Sequence, residues 1–387
     1  MQTEKTPLSS NIESSPERSG RTQVGGALPF LNGKPVTDLV WFQTSFIGDI
    51  ILTTSAMAAA QSAWPGVRQS ALTTAAGAAV FGRVPFIDRT FLFSKRGGLG
   101  LRGILAAAGA MRAWHRRLPH GSRAVILQAH KSFRSSLVSR LSGLPVITYR
   151  ETSRLPFVGA PPSALVDRVM PFHESARIAM LLEPFGMARE LMVAARPDLG
   201  VSRAAISPGS SAKKETKIAI APGSVWGTKR WLPDRFARLA VELLAKVPEA
   251  RIVLTGSPDE APLCEAIERK ISVRGRVENL AGKTALKDLP QLFSGFDLVI
   301  TNDSSPVHYA SALNVPTVAI FGATIPQFGF SPLAQKSVVV EAGPLKCRPC
   351  SDHGPQTCPE SHFRCMKDIS VEKVLAAALN CLAGLSN

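Results

Sequence analysis

Four stretches of this chain combine residue types that can act on a phosphate-bearing substrate, and each begins where a short apolar run ends. In Thr44-Ser45-Phe46-Ile47-Gly48-Asp49 a glycine permits a tight turn, and a carboxylate arrives just as an apolar helical pattern starts. Two roles are open to Asp49: it can cap a helix, where unpaired N–H groups favour a carboxylate, or it can accept a proton from an attacking hydroxyl. In Pro222-Gly223-Ser224-Val225-Trp226-Gly227-Thr228-Lys229-Arg230, glycines, hydroxyls and two adjacent cations suit a loop that wraps phosphate oxygens. Lys229 or Arg230 would then neutralise charge on a leaving group; an ordinary basic surface loop is the other reading.

The stretch Asn302-Asp303-Ser304-Ser305-Pro306-Val307-His308 places a polar cluster ahead of a proline, the mark of a helix start whose free N–H groups attract an anion such as a diphosphate. His308 falls about one turn inside and either faces that anion or is a packed side chain. In Gly256-Ser257-Pro258-Asp259-Glu260 the acids either bond ribose hydroxyls or cap a helix. None of these four loops is a G-x-G-x-x-G, and the chain has no P-loop and no Asp-x-Asp pair of the kind that holds a divalent metal, so positive charge on the protein must balance the diphosphate. Near the C-terminus Cys347, Cys350, Cys358 and Cys365 supply four thiols within 19 residues, with His353 and His362 among them, a count and spacing that suit tetrahedral zinc or iron.

The elements that must position these loops read as α/β. Strands are expected at residues 38–43, 124–128, 217–221, 251–255, 298–301 and 317–321, and helices at 53–63, 132–141 and 234–246. Ligands of such sheets bind beyond the carboxyl ends of the strands, where the four loops lie. Residues 1–30 read as a disordered tail without a signal peptide, 36–195 and 217–387 as two Rossmann-like domains with a cleft between them, and the Pro-, Gly- and Ser-rich stretch 196–216 as their linker. An apolar content of 45% is ample for two cores and excludes a wholly disordered chain, while the longest apolar or glycine run, residues 103–111, is far short of a membrane span. The 387 residues carry a formal charge of +16, which points to an anionic partner: nucleic acid, an acidic membrane face or a phosphorylated small molecule. No helix-turn-helix, RRM or zinc-finger pattern accompanies that charge, and nucleic acid is not expected.

Taken in order, Thr44–Asp49, Ala221–Ser224 with Lys229-Arg230-Trp231, Asn279–Thr284, Asn302–His308 and Ile320–Thr324 resemble the bacterial lipopolysaccharide heptosyltransferases, family 9 of the glycosyltransferases. The resemblance implies a GT-B fold and an inverting transfer of L-glycero-D-manno-heptose from ADP-heptose to the inner core of lipopolysaccharide. It implies that Asp49 is the general base and Lys229 the cation on the donor phosphates. Ser224, Asp303, Ser304, Ser305 and His308 fall on donor-binding positions, and Asp259, or Glu260 beside it, on that of the ribose-binding acid. Ser305 stands where the family often has glycine. Thr44, Ser45, Gly48, Lys131 and Arg134 fall on the acceptor side, with further cations at Lys95, Arg96, Arg102, Arg112, Arg116 and Arg117.

The implied partners are ADP-heptose and a lipid A precursor bearing the core sugars. The implied location is cytoplasmic, peripheral on the anionic inner membrane, with residues 99–118 either lying on the membrane face or covering the sheet. No cofactor is required by the family, and a structural zinc or iron at the cysteine cluster is a separate expectation. A heptosyltransferase acting on an autotransporter protein, a basic nucleic-acid-binding protein and a UDP-sugar epimerase are the alternatives.

Overall fold

The computed structural model describes residues 26–93, 101–152, 162–168, 172–202, 215–273 and 275–383. Lys95, Arg96, most of the N-terminal tail and most of the expected linker fall outside them.

The first part of the chain runs β1 (Phe30–Leu31), β2 (Lys34–Pro35), β3 (Asp38–Phe42), α1 (Ile47–Ala63), β4 (Arg68–Thr73), α2 (Ala75–Phe81), β5 (Arg89–Leu92), α3 (Leu101–Arg116), β6 (Ala124–Gln128), α4 (Phe133–Leu141), β7 (Val146–Tyr149) and β8 (Ala164–Val166). The second runs α5 (Glu174–Ala179), α6 (Arg189–Ala194), β9 (Thr216–Ala221), α7 (Pro233–Lys246), β10 (Ala250–Leu254), α8 (Ala261–Lys270), β11 (Val277–Asn279), α9 (Leu289–Ser294), β12 (Leu298–Asn302), α10 (Ser305–Ala312), β13 (Thr317–Phe321), β14 (Ser337–Glu341), α11 (Arg364–Lys367) and α12 (Val371–Ala383).

Two six-stranded sheets result, ordered β5-β4-β3-β6-β7-β8 and β11-β10-β9-β12-β13-β14, and every pairing in both is parallel. Each is a Rossmann-like sheet whose order reverses beside its first strand, so the α/β class and the two Rossmann-like halves of a GT-B chain are present. The sequence accounts for the strands directly. β3, β6, β12 and β13 are buried at every position, which is why they are apolar on both faces, with polar residues only at their ends, rather than alternating. Within the first sheet Arg68 grips the buried Asp38 carboxylate through two bonds of 2.8 and 2.7 Å, joining the starts of β3 and β4.

The described residues divide into two compact units. One lies within Met1–Ser45, Ala60–Arg168 and Leu181–Met187; the other within Phe46–Ala59, Val169–Met180 and Ala188–Asn387. The first turns of α1 and all of α5 therefore belong with the second sheet's unit, although they precede it in sequence. In that unit α7 lays Phe236, Leu239, Ala240, Leu243 and Leu244 into a core shared with Ile218, Ile252, Leu298 and Val374, while Val241 packs at its margin. In the first unit α3 turns Ile104, Ala107, Met111 and Trp114 into the core against Phe91 and Val138, the arrangement of an amphipathic helix covering its sheet.

Candidate active site

A cavity of about 840 Å³ opens at the carboxyl end of the second sheet, within the range of small-molecule sites. Its walls are the loops after β9, β10, β12 and β13 and the first turn of α1, all of them in the second unit. The pairing of β9 with β12, where Thr301 stands opposite Ala221, is the point at which the strand order reverses and two loops diverge to leave a crevice.

Asn302 ends β12 and ties those two loops together: its Nδ2 donates to Pro222 O at 2.7 Å and its Oδ1 accepts from Trp231 N at 3.0 Å. Ser304 takes the position before α10, but its side chain makes no capping bond; its hydroxyl is shared with Thr301 and the Gly223 carbonyl. With no side chain capping it, and with Ser304, Ser305 and Pro306 in the cavity wall, the head of α10 presents the positive end of its dipole to an anion. Beside it Lys229 Nζ lies 2.7 Å from Asp303 Oδ2, with only 12% and 7% of the two side chains exposed, and Thr324 Oγ1 donates to the same oxygen at 2.6 Å. Asp303, expected as a donor-binding residue, holds the lysine in place.

Asp49 is the third residue of α1 rather than the residue before it, because the helix starts six residues earlier than its apolar periodicity predicts. It lies partly buried in the cavity wall, and the nearly buried Lys229 lines the same cavity, so the carboxylate and the cation share one chamber. Gly48 precedes it with no space for a side chain, since a Cβ there would meet the ring of His308 at 2.7 Å. His308 is 4% exposed, and its Nδ1 has no hydrogen-bond partner among the described residues. Burial pulls its pKa down to about 3, and His173 and Lys229 push the same way, so the imidazole is neutral at ordinary pH.

Ser224 is buried in the wall with its hydroxyl 3.4 Å from Trp226 N. Arg230, the other cation of that loop, donates to Ser224 O at 2.7 Å and is not among the lining residues. The acid at the cavity is Glu260, not Asp259. Ser257 and Glu260 cap the turn reciprocally, with Ser257 N donating to the Glu260 carboxylate at 2.8 Å, and that bond draws Glu260 over Gly223 while Asp259 lies outside the lining. A Cβ at Gly223 would be 1.9 Å from Glu260 Oε1. Leu286, Leu289, Phe293 and Tyr309 add an apolar floor that sequence reading missed, and Lys283 adds a further cation, its Nζ donating to Asn279 O at 2.8 Å.

The four cysteines expected to hold zinc or iron are not drawn together as one ligand set in this structure. Among the described residues no group of three or more His, Cys, Asp or Glu side chains is positioned to hold an ion. Cys365 is built into the hydrophobic core with Met366, Cys350 Sγ donates to Cys347 O, Cys358 Sγ accepts from Phe363 N, and Cys347 Sγ is 3.8 Å from His362 Nε2. Burial pushes the Cys365 thiol up to about 11 and raises Cys350, and the neighbouring cysteines push both the same way. Instead the segment is sewn to the loop that carries Lys229. Thr228 donates to Pro355 O through its N–H at 3.2 Å and its hydroxyl at 2.5 Å, Gly227 N donates to Gln356 Oε1 at 3.1 Å, and Gln356 Nε2 donates to Val225 O at 3.0 Å. This brings Asp352 and His353 to the cavity wall. The only signal for it in the sequence is the pair Gly354-Pro355, a turn mark without a partner.

Thr44, Ser45, Lys131 and Arg134 belong to the first unit and are not among the residues that line the cavity. Thr44 Oγ1 is 2.7 Å from His130 Nδ1, Ser45 N donates to Gln43 Oε1, Lys131 pairs with Glu151 at 3.0 Å, and Arg134 is exposed on α4.

Against known proteins, the sequence profile described as glycosyltransferase family 9 (heptosyltransferase) matches residues 111–360. Lipooligosaccharide heptosyltransferase 2 of Campylobacter jejuni is 35% identical over 168 residues, 43% of this chain and 50% of that protein. Lipopolysaccharide heptosyltransferase 2 of Escherichia coli K12 is 32% identical over 134 residues, 34% of this chain and 38% of that protein. The chain thus spans half or less of the length of these curated relatives. Among solved structures, E. coli ADP-heptose LPS heptosyltransferase II matches with a TM-score of 0.69 at 22% identity, covering 90% of this chain and 100% of that one. E. coli heptosyltransferase WaaC with ADP matches at 0.67 and 17% identity, covering 89% and 99%. These two likenesses show the fold. The family profile takes in the Lys229 loop, the Glu260 turn and the head of α10, so the loops that build the cavity are those of a known family: the chain belongs to glycosyltransferase family 9, the heptosyltransferases.

Proposed function

We propose that this chain is an inverting glycosyltransferase that moves L-glycero-D-manno-heptose from ADP-heptose to a sugar hydroxyl of the inner core of lipopolysaccharide. The observation that carries the reading is that Asp49 and Lys229 line one cavity together with the uncapped head of α10. In the step so supported, the acceptor hydroxyl gives its proton to Asp49 and its oxygen forms a bond to the anomeric carbon. The bond from that carbon to the β-phosphate oxygen breaks, and the electron pair leaves on ADP. Lys229 and the N–H groups of α10 stabilise the charge that develops there, which lets protein cations do the work of a metal. A single displacement with one base inverts the anomeric centre. His308, held neutral, offers a hydrogen bond rather than a charge, and Glu260 is the acid placed for the ribose hydroxyls.

The reading gives the anionic groups of the acceptor lipid to basic side chains of the first unit. Arg134 is exposed, and the exposed Lys131–Glu151 pair is weak enough for an anionic acceptor to displace. Names among the curated relatives favour the second heptose as the one added. The formal charge of +16 supports peripheral contact with the cytoplasmic face of an anionic membrane, and no helix among the described residues is long and apolar enough to cross one.

Thermal-shift measurements with ADP-, UDP- and GDP-sugars test the donor, with stabilisation expected from the ADP form. A response to UDP-sugars alone overturns it. For the base, Asp49→Asn is expected to keep its ADP-induced shift and lose transfer by about 10²- to 10⁴-fold; turnover near that of the parent protein removes the assignment.

A further inference from the structure

Three rings at the cavity wall take no part in the transfer step described above. Phe46 immediately precedes α1, three residues before Asp49, and is 52% exposed although it is a large apolar side chain. His353 meets it edge to face, with ring centroids 6.3 Å apart. Trp226, on the Lys229 loop, lies parallel to His353, with centroids 6.1 Å apart and an interplanar angle of 6°. The three come from the start of α1, the loop after β9 and the cysteine segment, and all line the same cavity. The hydrogen bonds from Thr228, Gly227 and Gln356 that bind the cysteine segment down also fix His353 against Trp226. Val225, next to Trp226, is a further exposed apolar side chain at 59%.

We propose that Phe46, Trp226 and His353 form a platform that stacks on the C–H face of the acceptor's pyranose ring and presents its attacking hydroxyl to Asp49. The platform rests on the transferase reading above. Charge and position decide its occupant. The diphosphate is drawn to Lys229 and the head of α10, whereas these rings offer flat apolar faces, and Phe46 begins the turn that carries the carboxylate which must receive the acceptor's proton. A sugar is the part of an acceptor that has both an apolar face to stack and a hydroxyl to activate, while a lipid phosphate or acyl chain has only one or neither. This also gives the cysteine segment a task that needs no metal: it carries one ring of the acceptor subsite.

The experiment titrates a delipidated inner-core oligosaccharide into full-length protein saturated with ADP, for the parent chain and for Phe46→Ala, Trp226→Ala and Trp226→Tyr. ADP affinity, measured first and separately, tests the transferase reading; its absence in the parent chain overturns that reading and the platform with it. With ADP affinity the same in all four proteins, the platform requires that oligosaccharide affinity fall at least about tenfold in Phe46→Ala and Trp226→Ala and largely return in Trp226→Tyr. Equal oligosaccharide binding by parent and variants, or none by the parent, overturns the platform and leaves the donor site intact. A loss of affinity for ADP-heptose without loss for the oligosaccharide assigns the rings to the donor sugar and also overturns it.

Discussion

A methyl group on Gly48 would lie 2.7 Å from Cδ2 of His308 and 3.2 Å from its Nε2, so the first turn of α1 and the imidazole of α10 touch without space for any side chain. The contact fixes where α1 begins, and Asp49 is the next residue. Gly48→Ala must therefore displace either the ring or the helix end. Turnover is expected to drop by more than about tenfold, with a stability loss of about 1–3 kcal/mol as in other overpacked sites. Steady-state kinetics and a denaturant melt separate the two effects, and parent-like kcat in a folded variant refutes the positioning role.

Lys229 and Asp303 act as a unit because both are nearly buried and paired at 2.7 Å. Lys229→Met removes the charge proposed to face the leaving group and is expected to cost about 10²- to 10³-fold in kcat. Asp303→Asn leaves the lysine charged but loosens it, so a smaller fall in kcat and a rise in KM for the donor are expected. If the two single variants and the double variant are compared, the double should resemble Lys229→Met alone.

Glu260 and Asp259 are neighbours with different surroundings, which makes them a matched pair. Glu260→Gln is expected to weaken ADP binding by about fivefold or more, whereas Asp259→Asn leaves it unchanged, since only Glu260 lines the cavity. Calorimetric titration of ADP reads both. Gly223→Ala should act like Glu260→Gln, because its Cβ would occupy the space of the carboxylate.

His308 and His173 have pKa values pulled down by burial to about 3 and about 4. Unfolded, each titrates near 6.5, so the unfolded chain binds protons that the folded chain refuses. The stability that depends on their neutrality is whole above about pH 6.5 and is lost as pH falls toward 4, by up to about 1.4 kcal/mol per pH unit per group. Melting temperature measured from pH 7.5 to 4.5 should fall in that window, and less steeply for His308→Gln. A slope unchanged by that substitution contradicts the burial argument.

The central strands of both sheets and the loops that matter are legible in the linear chain, because strands buried on two faces are largely apolar and the residues after them must turn and meet a ligand, whereas the short or half-exposed outer strands carry no such mark. Leu298–Asn302 and Thr317–Phe321 carry that signature, and Pro306 behind two serines marks the head of α10 as a polar opening. These features are local, set by backbone geometry and burial over a few residues. The partnerships are not local. Lys229 with Asp303, Gly48 with His308, Glu260 over Gly223 and Trp226 against His353 join residues far apart or turned by a cap, and nothing in either member's neighbourhood encodes the other. The same holds for the cysteines, whose spacing invites a metal: packing buries Cys365 among core side chains, and backbone hydrogen bonds turn the rest of the segment into a wall of the cavity. Spacing along a chain bounds which side chains can meet, but which of them do meet is set by the packing of helices on the sheet and by the demand that buried polar groups find partners.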